Sequence, residues 1–197
     1  TGENRTISHN LGVKPDLMIF KRLDGTQNWP VYHSAVTATG RLILDLNHAE
    51  YDDNSFWNDT EPTASVFTLG NDGAANGADQ TQIGYLWAGV EGFSKFGSYM
   101  GNASTDGPTV WCGFRPAYIF IKSSIGATEN WVTHDAQRGP YNVIAARLEL
   151  NNNDDEATNI DAVDFLSNGF KLRTDDGMWN SDGDTFVFGA WAEAPFK

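Results

Sequence analysis

Cysteine occurs once in the 197 residues, as Cys112. One thiol excludes an intrachain disulfide, and among apolar neighbours it reads as a small core residue. Positive charge is also scarce. Thirteen Lys and Arg face 26 Asp and Glu, for a net charge of −13. The cations stand singly except for Lys21-Arg22. A nucleic-acid surface needs clustered cations that displace counterions, so neither DNA nor RNA is an expected partner. Long apolar runs are missing too. The longest span four or five residues, as at Tyr118–Ile121. A membrane-spanning helix needs about 20, so no membrane insertion is expected. No Cys pair or His-x-x-x-His spacing suggests zinc, and no motif implies a cofactor.

What is present is a vocabulary of strands and turns. Apolar residues make up 40% of the chain and aromatics 13%, enough bulk for a core. "PDLMIFKR", "NWPVYHS", "GRLILDLN", "SVFTLG" and "TQIGYLWAGVEG" are short and rich in Val, Ile, Phe, Trp and Tyr. Such runs fit a pleated, half-buried surface. Clusters of Gly, Asn and Asp separate them, as in "GNDGAANGAD" and "TDDGMWNSDGD". No three-turn helical stripe is visible, and only "SAVTATGRL" could hold a helical turn.

The runs recur. "GVKPDLMIFKRLDGTQNWPVYHSA" (12–35) is answered by "GFRPAYIFIKSSIGATENWVTHDA" (113–136). Lys21 matches Lys122, Asn28-Trp29 matches Asn130-Trp131, and His33 matches His134. Later blocks keep order at an offset of 101 to 104 residues: "LDLN" with "LELN", "SVFTLG" with "NGFKLR", "LWAGVEGF" with "AWAEAPF". The expected fold is therefore all-β: two tandem repeats, residues 1–95 and 96–197, each a jelly-roll-like β-sandwich of about seven short strands. One continuous larger sandwich, with "GFSKFGSYMG" as a strand shared between the copies, is the alternative. "KFGSY" (95–99) leads into the second copy and has no counterpart before the first. Upstream chain would supply that strand, or the first copy goes without it.

Candidates for chemistry are few. His134-Asp135 resembles a base with its orienting acid, but neighbours in a strand point to opposite faces. No Gly-x-Ser-x-Gly elbow offers a nucleophile. The acidic clusters at Asp52-Asp53, Asp154–Glu156, Asp175-Asp176 and Asp182–Asp184 suit turns as well as they suit calcium or paired catalytic carboxylates. Trp29 and Trp131 read as core anchors. Trp57, Trp179, Tyr51 and Tyr141 lie in polar, loop-like stretches. There an aromatic face stacks on a sugar ring while amides and carboxylates bond its hydroxyls, so these four are the expected ligand-binding residues.

"WNDTEPTASVFTLG", "VEGFSKFGSYMGN", "GPTVWCGFRPAYIFIK", "FLSNGFKLR" and "AWAEAPFK" resemble an uncharacterised family of tailed-phage structural proteins from marine and other environments. Members are often labelled tail-fibre or tail-tip proteins. The resemblance implies a virion setting, β-rich architecture and attachment to other virion proteins, and it brings no catalytic residues. The function expected from it is non-enzymatic: a tail-fibre or receptor-binding domain that recognises a host surface glycan, as a homo-oligomer with a trimer favoured. A structural virion protein, decorating a capsid or forming a fibre shaft without glycan binding, is the alternative. A polysaccharide depolymerase is a third reading.

Overall fold

The computed structural model describes residues 3–196. Its contacts divide the chain into two compact units, residues 1–45 with 50–88, and residues 46–49 with 89–197. The first holds strands β1 (Arg5–Ser8), β2 (Leu17–Arg22), β3 (Pro30–His33), β4 (Gly40–Ile43) and β5 (Tyr51–Asp52). A one-turn helix α1 (Asn54–Trp57), β6 (Val66–Leu69), a second one-turn helix α2 (Gly73–Asn76) and β7 (Gln82–Trp87) complete it. The second holds β8 (Ser94–Met100), β9 (Thr109–Trp111), β10 (Pro116–Ile125), β11 (Val132–Asp135) and β12 (Leu148–Glu149). After these come β13 (Val163–Leu166), β14 (Gly169–Leu172), the one-turn helix α3 (Gly177–Asn180) and β15 (Thr185–Ala192). The chain is all-β, and every pairing between named strands is antiparallel.

In the first unit a five-stranded sheet runs β5-β4-β3-β2-β7 and a two-stranded sheet pairs β1 with β6. In the second a five-stranded sheet runs β12-β11-β10-β15-β8 and a three-stranded sheet runs β13-β14-β9. Sequential strands are neighbours from β2 to β5, and β7 returns to pair with β2. The break between units precedes the expected boundary at 95 because β8 pairs with β15 and with no strand of the first unit. The helical turn expected near "SAVTATGRL" is a tight turn after β3, closed by Val36 N–H on the His33 carbonyl at 2.9 Å.

Each unit buries the inner faces of its two sheets against one another. In the first, Phe20 of β2 meets Phe67 of β6 at 5.4 Å between ring centroids. In the second, Ile119, Ile121, Phe186 and Phe188 of the large sheet join Val110, Phe165, Phe170 and Leu172 of the small one in a single apolar cluster. The strands of the second unit's large sheet read as continuous apolar runs because both of its faces carry buried side chains. Phe120 and Trp131, on the face away from that cluster, are buried too.

Several devices recur at matching places. Gly12 and Gly113 both take positive φ (+74° and +86°), a bend that a Cβ would strain. The Trp29 amide donates to Asp45 Oδ1 and the Trp131 amide to Asn151 Oδ1, each at 2.8 Å. The Asn76 side-chain amide donates to the carbonyls of Glu3 and Gly70, while that of Asn180 donates to those of Ser104 and Thr174. Asp72 caps α2 and Asp176 caps α3 through the same side-chain bond to the second helical amide.

Candidate functional site

Two of the four expected ligand residues are not at the surface. Trp57 is 1% exposed and Trp179 is 0% exposed. The acidic residues that made their loops look solvated are helix caps. Asp53 accepts from the Ser55 amide and Asp176 from the Met178 amide, and the single turns that follow swing each indole into the core. Neither ring can stack on a sugar. Trp131 is a core anchor as expected, whereas Trp29 is only half-buried. Tyr51 and Tyr141 are exposed, at 63% and 83%, one on each unit.

Tyr51 sits on β5 beside Arg41. The Arg41 guanidinium lies 5.5 Å from the Tyr51 ring and 4.6 Å from the Phe56 ring, and its Nε donates to Asp53 Oδ2 at 3.0 Å. The guanidinium is thus fixed against the aromatic ring. Partial burial, and then the Asp52 charge, raise the neighbouring Glu50 carboxyl above its usual range.

The histidine pair is structural in the second unit. His134 is fully buried. Trp179 Nε1–H donates to its Nε2 at 2.9 Å, so Nδ1 carries the proton and donates to the Ala146 carbonyl at 3.0 Å. Burial pulls its pKa down to about 4. Burial also pushes the Cys112 thiol up to about 12, far from a reactive thiolate. Acidic side chains of the suspected clusters serve as caps and turn acceptors, as with Asp53, Asp176 and Asp184, whose carboxylate accepts from the Ala127 amide. No grouping of His, Cys, Asp and Glu among the described residues has metal-binding geometry.

A concavity in the first unit was not expected. It is a cleft of about 420 Å³ between the β1-β6 sheet and the β7 end of the large sheet. Phe20, Phe67 and Leu86 form apolar walls, and His9 stacks on Phe67 at 6.2 Å between ring centroids. Arg5 is the one Lys, Arg, Asp or Glu in its lining, in a chain of net charge −13. The Gln82 amide lies in the wall with Oε1 and Nε2 both buried and unpaired.

Strand register shows how the cleft arises. Lys21 pairs with Ile83 and Lys122 with Val187, so with Lys21 and Lys122 as equivalents Gln82 answers Phe186 and Gly84 answers Phe188. On the one-turn helices Ala75 answers Trp179. The second unit therefore places Phe186, Phe188 and Trp179 where the first has Gln82, Gly84 and Ala75. It also adds β8, whose Tyr99 stacks on Phe186 at 5.2 Å and reaches the Trp179 carbonyl at 2.7 Å. Among the described residues no strand lies on the corresponding edge of β7. In sequence, "KFGSY" (95–99) is the block with no match within residues 1–95.

The chain belongs to a family described as a domain of unknown function, DUF7483. The family profile matches residues 1–195. No curated protein and no solved structure matches the chain. No helix among the described residues is long and apolar enough to cross a membrane.

Proposed function

We propose that this DUF7483 chain is a non-enzymatic attachment module of a phage particle, joined to neighbouring virion proteins through the open side of its first unit. The observation that carries this is the bare edge of β7. "QIGYLW" holds no Lys, Pro or acid to blunt strand pairing, and a cleft with both apolar and polar walls lies beside it. The resemblance to tailed-phage structural proteins supplies the setting. Tandem duplication supplies the form: one sandwich copied twice, with one copy closed and the other left to be completed. The non-enzymatic reading is supported by His134, whose two ring nitrogens are already bonded, and by acidic side chains engaged as caps.

Sedimentation of the purified chain over a range of concentrations tests this. An open edge with no partner pairs with itself, so reversible self-association is expected. It is lost in Leu86→Pro, which removes an edge donor. A chain that stays monomeric at every concentration overturns the attachment reading.

A second reading keeps the glycan. Exposed Tyr51, backed by the anchored Arg41, is a sugar-stacking surface on β5, at the opposite edge of the same sheet from β7. A glycan-array signal lost in Tyr51→Ala and kept in Leu86→Pro would establish receptor recognition at that edge, with Tyr141 of the second unit tested alongside.

A further inference from the structure

We infer that β7 is the acceptor for one extended strand donated by a partner polypeptide, antiparallel to β7, with an aromatic side chain seated in the cleft. This rests on the attachment reading and gives the partner's chemistry. The second unit shows the seat filled. There β8 runs antiparallel to β15, with Tyr99 opposite Phe186, Gly97 opposite Phe188 and Lys95 opposite Ala190. Carried to the first unit, the same register sets the donated aromatic opposite Gln82.

The groups it would meet are in place. Tyr99 donates to the carbonyl of Trp179, and Ala75, the counterpart of Trp179, lines the cleft. The unpaired Gln82 amide adds a donor and an acceptor beside it, and a buried amide without partners gains when a phenol reaches it. The volume of about 420 Å³ exceeds the roughly 150 Å³ that holds a benzene ring. With Arg5 as the one formal charge in the lining, the cleft wall sets no carboxylate against a seated aromatic ring.

The edge is also free to accept. The Asp16 amide bonds the Trp87 carbonyl and the Leu23 amide bonds the Thr81 carbonyl. In an antiparallel ladder the groups alternate, so odd residues of β7 face β2 while Gln82, Gly84 and Leu86 face outward. In the second unit the Ala192 amide, on the outward set of β15, bonds the Phe93 carbonyl just ahead of β8. Strand addition of this kind draws affinity from main-chain bonds and specificity from alternate side chains.

The test uses a synthetic peptide with the sequence of Gly92–Asn102 (GFSKFGSYMGN), added to the full chain and read by hydrogen exchange and titration. Saturable binding is expected, with new protection at the amides of Gln82, Gly84 and Leu86. The peptide with Tyr99→Ala should bind about tenfold more weakly or worse. Leu86→Pro should abolish binding while leaving the β2 ladder intact, since it removes only an outward N–H. Absence of protection at those three amides overturns the inference, as does equal affinity of the Tyr99→Ala peptide. A chain that self-associates but ignores the peptide keeps the attachment reading and loses the donated strand.

Discussion

The two units solve the same packing problem with different side chains. In the second, Trp179, Phe186, Phe188 and Tyr99 fill the space between the sheets. In the first, Ala75, Gln82 and Gly84 stand at the matching positions and a cleft remains. The fully buried tryptophan of the first unit, Trp57, reaches its core from α1, where it meets Phe20 at 5.8 Å and Tyr32 at 6.0 Å. Of Trp57 and Trp179, Trp179 has a partner for its indole N–H. The N–H of Trp57 is buried and unpaired. At the positions compared, large aromatic side chains close the core of one unit, and small or polar ones line a cleft in the other.

The comparison breaks most visibly at Phe186. Phe186→Ala should cost about 3–5 kcal/mol in denaturant unfolding, since a fully buried ring leaves a cavity behind. The matching change in the first unit, Gln82→Ala, should shift stability by less than about 1 kcal/mol, because it removes an amide that has no partner. Equal costs would mean that the cleft is as tightly packed as the core.

Acid gives the next largest contrast. His134 is held neutral by burial, with its pKa near 4 against an ordinary value of 6.5. Between those values the unfolded chain binds a proton that the folded chain refuses, so stability rises with pH across the window. The contribution is complete above about pH 6.5. It is lost as pH falls to about 4, a change of up to about 3 kcal/mol. Unfolding midpoints of the second unit at pH 7 and pH 4.5 check this, and His134→Leu should flatten the slope.

The smallest contrast separates the two tryptophans. Trp179→Phe strands the acceptor nitrogen of His134, whereas Trp57→Phe removes a donor that has no acceptor. Trp179→Phe should be the costlier by about 1–2 kcal/mol in urea unfolding. A reversed order would mean that the Trp57 indole nitrogen finds a partner in solution.

Much of the fold was legible because strands need only alternation and bulk. The matched blocks around Lys21 and Lys122 give the sheet centres, and each block folds into a strand pair. The positions of Trp57 and Trp179 were misread for a local reason. Asp and Asn neighbours signal solvent in a loop, yet an Asp that caps a single helical turn can point a residue three or four places later inward. Asp53 with Trp57 and Asp176 with Trp179 are two instances. The cleft escaped for another reason. It depends on which residues face each other across strands, and register is set by pairing, which a matched block implies without stating. Once Lys21 is aligned with Lys122, the exchange of Phe186 and Phe188 for Gln82 and Gly84 can be read off the chain. Trp111, 65% exposed on β9, carried no signal in sequence because its neighbours are as apolar as those of a buried strand.

The pairing of β8 with β15 also sets a schedule for synthesis. β8 ends at Met100 and its partner strand begins at Thr185. At 5–20 residues per second, a ribosome makes the second strand on the order of ten seconds after the first. Through that interval β8 waits without its partner, and β10 waits for β15 as well. The first unit has all its strands by Trp87. The half of the chain that ends up with the closed core is therefore the half that stays open longest while it is being made.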